Sequence, residues 1–570
     1  IKEEFKNNYA IQGTGFIEGR DRANVVLART IKQDGRVIDL DPENVRITKP
    51  STGGDTFITI STRMFTFPEV EVGDIVECII DRETYNPAVK EFFFPLWLFR
   101  TTIPALMSQV TVSVPTEINF RYLINAMPDD AAFPVVEEKD EFTHYTWRMD
   151  DLAPYIGETY MPNVFDVLPS MRGAIIDDWS FIADWVQEYW RENTAPSEEL
   201  KQFTLDLTRE DATLEAKVAH IYHWLQKNIR YIIIKGDMAS IYGSWAGEVT
   251  LQRKFGCCVD KAVLMSSMLT AVGVKSTPVL LNVVSGNTLK PEMPQISLQH
   301  SISCVYLDGR KFYLDSTGSN FRYPYFNAGN HAVWCLNPLE RKLEYIAPPP
   351  PEDNKSMYHL VMDLDKNGDC NVVYWTNYTG SYEAGIRGYW KQVKENERPL
   401  AFANMVKSTA PTAQLDSYKL FNLDDISKPF SLALRYTIEK YPTFAGDLVI
   451  LELPDHRFPF DETGLDERSF PIRYYGTYQR GYSYIVNLPD NMEVFYLPEP
   501  LALETPFATY RASYRRVGDK KILFQDIFRR SEVLIPPEQY QRYKQLCREI
   551  NNYTKQQIFL VRTDAKGGER

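Results

Sequence analysis

Three residues suited to acyl transfer stand in the order cysteine, histidine, aspartate: Cys258, His300 and Asp315. A thiol is a useful nucleophile only as its thiolate, which needs an electropositive setting. An imidazole can take and return a proton, and a carboxylate can hold that imidazole in one tautomer and support its protonated form. Together such groups allow attack on a peptide or carboxamide carbonyl through a covalent acyl-enzyme.

Each group needs an element to position it. Val263, Leu264, Met268 and Leu269, then Ala271 and Val272, recur near helical spacing, and Gly273 suits the residue after a helix end. The spacing predicts a helix that ends near Val272 and has Cys258 in its first turn. Unpaired backbone N–H groups and the positive end of the helix dipole gather there. Both favour the thiolate, and the Cys258 N–H is a ready donor to an oxyanion.

Leu298 to Leu307 reads as a strand with His300, Ile302, Cys304 and Tyr306 on one face. Asp308-Gly309 is a strong two-residue hairpin signal, and Arg310 to Asp315 returns as the second strand. A two-residue loop pairs Leu307 with Arg310, placing Asp315 opposite Ile302 and His300 opposite Thr317. His300 and Asp315 are then diagonal neighbours on one face, about 7–8 Å apart at the backbone and within side-chain reach. A three-residue loop would break that register.

Blander roles compete. A lone cysteine is most often a small buried apolar residue, and a lone strand histidine is more often structural than catalytic. The combination of helix start and hairpin geometry favours chemistry here. Asn330-His331-Ala332-Val333 also looks like a histidine strand, but only Glu340 and Glu344 follow it at hairpin distance, so His331 ranks below His300. His220 and His223 lie three apart on a helix, off its apolar stripe and without an acidic or cysteine partner, and read as a solvated face.

The motifs resemble the transglutaminase-like superfamily, whose core is related to papain-type thiol proteases. They are Gly256-Cys257-Cys258, then Gln299-His300-Ser301-Ile302, then Tyr313-Leu314-Asp315-Ser316-Thr317. An amphipathic helix ending in Asn228-Ile229-Arg230-Tyr231 precedes them. More narrowly, the chain is similar to bacterial multidomain members with β-rich domains on both sides of the core; the segment Phe67 to Val76 carries that likeness. The resemblance implies an α+β papain-like core flanked by β-sandwich-type domains, and Cys258, His300 and Asp315 as nucleophile, base and orienting acid. It implies Trp245 as a second oxyanion donor, because some members use an indole. It also implies a protein or peptide substrate, hydrolysis over cross-linking, and export to the periplasm or surface of a bacterium.

One residue departs from the pattern. The position before the nucleophile is often Asp in such bacterial members and is Cys257 here, either a neutral substitution or a partner for a vicinal disulfide. The alternative to an enzyme is a non-catalytic module whose β domains bind protein or glycan on a transglutaminase-like scaffold. No organic cofactor or metal is implied: calcium, which some animal members need, finds no EF-hand-like loop or dense carboxylate cluster beside the three residues.

At 570 residues the chain is too long for one core. The expected division is 1–165, a β-sandwich domain; 166–347, the core; 355–455, a β-rich domain; and 456–570, a β-rich region with a late helix. Ala347 to Pro351 reads as a stiff linker. A net charge of −13 and the lack of a long basic run exclude a nucleic-acid-tracking surface. No run of 18 apolar residues predicts a transmembrane helix. Seven scattered cysteines form neither a disulfide framework nor zinc spacing. Beginning at Ile1 rather than Met, the sequence reads as processed or excerpted.

Overall fold

The structure is a computed structural model and describes residues 10–49, 56–58, 60–87, 89–235, 243–296 and 298–563; Ile1 lies outside them. At its centre is a five-stranded antiparallel sheet. In spatial order the strands are Arg310–Leu314, His300–Leu307, Lys275–Leu281, Val333–Asn337 and Lys342–Ile346.

The hairpin forms in the expected register, with Leu307 opposite Arg310 and Ser303 opposite Leu314. Asp308 and Gly309 both have positive φ, 50° and 73°. Such a turn matches the twist of the strands it joins, and Asp and Gly are among the residues that tolerate it. The histidine strand is buried on both faces, with only His300 and Tyr306 partly exposed. On one face Val305 and Leu307 pack with Leu264, Met265 and Met268. On the other, Ile302 and Cys304 join Val279, Leu281 and Phe326.

The expected helix runs Cys258–Ala271, with Gly273 beyond it at φ 79°. Every residue from Cys258 to Leu269 is buried. An enclosed helix needs no amphipathic stripe, which is why its apolar spacing is imperfect.

Ahead of the core, four three-stranded sheets form two small units. Strands between residues 11 and 84 surround Ala28, Phe65 and Phe67, and strands between 96 and 174 enclose Phe99, Val112 and Trp147. Ser170–Ala174 pairs with Arg121–Asn125 and with Leu96–Leu98. A strand from beyond residue 165 thus completes the N-terminal region.

Past Pro351 one eight-stranded sheet is ordered Ala413–Phe421, Ser431–Ile438, Cys370–Tyr378, Lys355–Leu364, Tyr478–Asn487, Lys521–Arg530, Ala508–Val517 and Leu501–Glu504. Its seam is the parallel pair Lys355–Leu364 and Tyr478–Asn487. A single apolar cluster extends from Leu360 to Leu560, so the division expected at 455/456 falls inside one sheet and one core. Two helices, Gly380–Gln392 and Arg398–Lys407, lie within the stretch expected to be β-rich. Their aromatic residues suggest strands, yet Trp390 and Phe402 stack across the two helices with ring centroids 3.9 Å apart. The late helix, Tyr540–Tyr553, buries Tyr540, Tyr543, Cys547 and Ile550 as its spacing predicts. No helix among the described residues is long and apolar enough to cross a membrane.

The core is tied to the eight-stranded sheet through Glu383. This buried carboxylate accepts from Arg322 Nη2 at 2.9 Å, Arg387 Nη2 at 2.8 Å and the Phe430 N–H at 3.0 Å. Glu383→Ala leaves two guanidinium groups without their shared anion and is expected to lower stability by about 3–5 kcal/mol, read from the urea unfolding midpoint. Arg322→Ala removes a more exposed partner and should cost less; a larger loss for Arg322→Ala would contradict this assignment.

Candidate active site

The cysteine is set by the turn that leads into its helix. Phe255–Gly256 pairs in parallel with Arg230–Tyr231, Cys257 is extended at φ −81° and ψ −173°, and Cys258 is the first helical residue. Asp260 reaches back over this turn. Its Oδ2 accepts from the Cys257 N–H at 2.8 Å and its Oδ1 from the Trp245 N–H at 3.0 Å, satisfying donors that the helix start leaves free. Burial holds the Asp260 carboxyl above its usual range, although those two N–H bonds oppose the shift. The fit is tight: a Cβ on Gly256 would stand 2.7 Å from Asp260 Cβ.

The Cys258 side chain hydrogen-bonds with His300, Tyr231 and Cys257. His300 Nε2 meets Asp315 Oδ2 at 3.1 Å, which leaves Nδ1 for the thiol. Asp315 is buried, and its remaining valences are filled. Oδ1 accepts from the Thr317 N–H at 2.9 Å and the Thr317 hydroxyl at 2.6 Å; Oδ2 accepts from Asn330 Nδ2 at 2.7 Å. The Tyr222 hydroxyl donates to the Asp315 carbonyl at 3.1 Å and to the Tyr325 carbonyl at 2.7 Å.

Electrostatics follow from this packing. Burial alone disfavours a charged His300, but the charge and hydrogen bond of Asp315, with a further contribution from Cys258, outweigh it and lift the imidazolium to about 10. Burial likewise works against the Asp315 carboxylate, yet His300 and the Thr317 donors hold it below its usual range. A histidine and a carboxylate held charged beside a thiol are what a thiolate–imidazolium pair requires. Because folding raises the His300 value, its protonation stabilises the native state fully below about 6.5, and that contribution is lost as pH climbs through about 10.

The structure brings Cys258, His300 and Asp315 together, sets Trp245 beside the turn that leads into Cys258, and places the other histidines elsewhere. Trp245 sits beside the turn, but its backbone N–H serves Asp260 and its ring lies under the Arg253 guanidinium, 4.0 Å from the ring centroid. His331 stacks on Phe326 at 4.0 Å and bonds the Ala347 carbonyl through Nδ1; burial lowers its pKa to about 4. His220 pairs with Asp211 at 2.9 Å, and His223 accepts from the Tyr323 N–H at 2.9 Å. Among the described residues no group of three metal-ligating side chains occurs.

Two contributors, Asn330 and Lys261, have no clear mark in the sequence. Asn330 stands next to His331, and its amide, not that imidazole, reaches the acid. Lys261 is buried and donates from Nζ to the Leu225 and Ile229 carbonyls at 3.2 and 2.6 Å, ending the helix Leu214–Asn228; burial lowers its pKa to about 8 against the pull of Asp315. Asp260 does have a local signal, an acid three residues after a helix-capping position.

The transglutaminase-like superfamily profile matches residues 201–314, taking in Cys258 and His300 and ending one residue before Asp315. Two families described as domains of unknown function, DUF3857 and DUF3858, match residues 6–156 and 448–560. No curated protein matches the chain. Among solved structures, a candidate protease from Parabacteroides distasonis aligns over 98% of this chain and 92% of its own, at 13% identity and a TM-score of 0.66. That likeness is one of fold. A candidate cysteine protease from Cytophaga hutchinsonii covers 39% of this chain and 70% of its own, at 14% identity and a TM-score of 0.19. The periplasmic domain of TgpA from Pseudomonas aeruginosa covers 39% and 75%, at 13% identity and a TM-score of 0.17. These last two are too distant in shape to inform the fold.

Two outcomes are expected of the site. Histidine ring NMR should show His300 still protonated at about pH 8, and Asp315→Asn should drop its midpoint below the ordinary histidine value; a wild-type midpoint near that ordinary value would refute the buried ion pair. Gly256→Ala should displace the Asp260 cap and slow Cys258 alkylation while preserving far-UV circular dichroism; an unchanged alkylation rate would show that the turn tolerates the clash.

Proposed function

We propose, from a core that belongs to the transglutaminase-like superfamily, that this chain is a thiol-dependent hydrolase of peptide or carboxamide bonds. The observation that carries the reading is the contact of Cys258 with a His300 held protonated by the enclosed Asp315. The Cys258 thiolate attacks the carbonyl carbon, a C–S bond forms, and the carbonyl electron pair moves onto oxygen. The backbone N–H at the helix start donates to that oxyanion. As the tetrahedral species collapses, the C–N bond breaks and the His300 imidazolium protonates the leaving amine. Water then attacks the thioester and gives its proton to His300. The C–S bond breaks, releasing the acid and restoring thiolate and imidazolium.

An amine in place of water would give transamidation through the same acyl-enzyme. Hydrolysis is preferred because the bacterial proteins that the motifs resemble are read as proteases. The same resemblance supports a protein or peptide substrate and an exported location. A Cys258→Ala variant separates this reading from a scaffold that only binds: an enzyme loses turnover while partner binding persists.

The decisive test is alkylation by iodoacetamide, resolved cysteine by cysteine under reducing conditions. At about pH 6 Cys258 should react faster than the exposed Cys78, because its thiolate is already formed. His300→Ala should abolish that advantage, and the hydrolysis rate should fall on the order of 10²–10⁴-fold. Reaction of Cys258 no faster than Cys78, or peptide hydrolysis persisting in Cys258→Ala, would remove the thiol mechanism.

A further inference from the structure

Where the core meets the eight-stranded sheet there is a cavity of about 420 Å³, and none of Cys258, His300 and Asp315 lines it. Its floor is one face of that sheet. Tyr478 stands opposite Arg530 and Arg480 opposite Phe528 on adjacent antiparallel strands, so the four side chains share a face. Tyr160, Ala328, Tyr382, Phe458 and Phe460 form walls drawn from separate parts of the chain. We propose that this cavity binds a small monoanionic carboxylate carrying an aromatic or sugar ring.

The charge distribution points to an anion. Neither guanidinium has a carboxylate within 4.0 Å among the described residues. Arg480 directs Nε and Nη2 at one acceptor, the Tyr482 hydroxyl, and lies 5.0 Å from the Tyr358 ring centroid and 5.6 Å from that of Phe458. Arg530 lies 3.3 Å from the Tyr474 ring centroid and gives one Nη2 bond, 3.2 Å, to the Gly476 carbonyl. Its Nε is buried with no partner. Burial holds the Tyr474 and Tyr482 phenols above their usual range, so neither supplies a negative charge. Two partly buried cations with no carboxylate in direct contact, and only Glu462 nearby to offset them, favour the entry of an anion.

The lining also sets what kind of anion fits. A guanidinium fork matches a carboxylate in two parallel bonds. The one buried carboxylate of the lining, Glu462, is engaged by the Tyr474 and Tyr543 hydroxyls. With the exposed Asp461 beside it, Glu462 disfavours a doubly charged guest such as phosphate. The aromatic walls accept a flat ring or the apolar face of a sugar. The volume matches a small-molecule pocket.

Saturation-transfer NMR on the full chain tests this, with benzoate and glucuronate as probes, benzyl alcohol and glucose as uncharged counterparts, and inorganic phosphate as the bare ion. At least one carboxylate should bind with Kd on the order of 1 mM or tighter, and its uncharged counterpart about tenfold more weakly. Benzoate alone assigns an aromatic acid, and glucuronate alone a sugar acid. Arg530→Gln should weaken binding about tenfold or more while Cys258 alkylation keeps its wild-type rate. Should that variant not fold, Tyr160→Ala, at a rim position 39% exposed, decides instead and should also weaken binding. The proposal is overturned if neither carboxylate binds, if phosphate binds as well as they do, or if every folded variant binds like the wild type. Each result is independent of turnover, so it stands apart from the fate of the thiol mechanism.

Discussion

A carboxylate enclosed beside an imidazole is the constraint on which the rest depends. An unpaired charge at the depth of Asp315 would cost several kcal/mol, and the fold meets it with four donors on two oxygens. They come from His300, from the backbone and side chain of Thr317, and from Asn330. The hairpin, the short turn Ala328–Asn330 and, through Tyr222, the helix Leu214–Asn228 are therefore fastened to one residue. The hairpin and the turn cannot shift without orphaning part of that carboxylate, and the helix cannot shift without releasing the Asp315 backbone carbonyl.

The start of the cysteine helix is governed by a second arrangement of buried charge. Its third and fourth residues, Asp260 and Lys261, are both enclosed and work in opposite directions along the chain. Asp260 collects N–H groups from the turn before the helix, whereas Lys261 collects carbonyls from the end of an earlier helix. Each places a full charge where the backbone leaves partial charge of the opposite sign. Cys258 thus sits on a rigid step rather than on a mobile loop, and a nucleophile held this way loses little freedom on approach to a carbonyl.

What the sequence made legible was local. Asp308-Gly309 specifies its turn without help from distant residues, and the turn then dictates which residues face one another. The cysteine helix was readable from its spacing and from Gly273. Asn330, Tyr222 and Lys261 were not, because each acts on a group far away in the chain. His331 misled for a specific reason: its flank does form a strand, Val333–Asn337, but the ring turns to Phe326 and Ala347. The helices after Gly380 were masked by their aromatic residues. The sheet spanning residue 455 was hidden because parallel pairing joins strands with no turn between them.

That parallel seam also bears on how the protein is made. Ser356 and its neighbour Tyr478 are separated by 122 residues. As the nascent chain leaves the ribosome, Lys355–Leu364 can pair at once with Cys370–Tyr378, but its other edge stays bare until Tyr478–Asn487 has been synthesised. The first half of the sheet thus spends a long interval of translation with an open strand edge, the kind of surface that recruits foreign strands. The last third of the chain is therefore the part whose yield depends most on the pace of synthesis and on folding assistance.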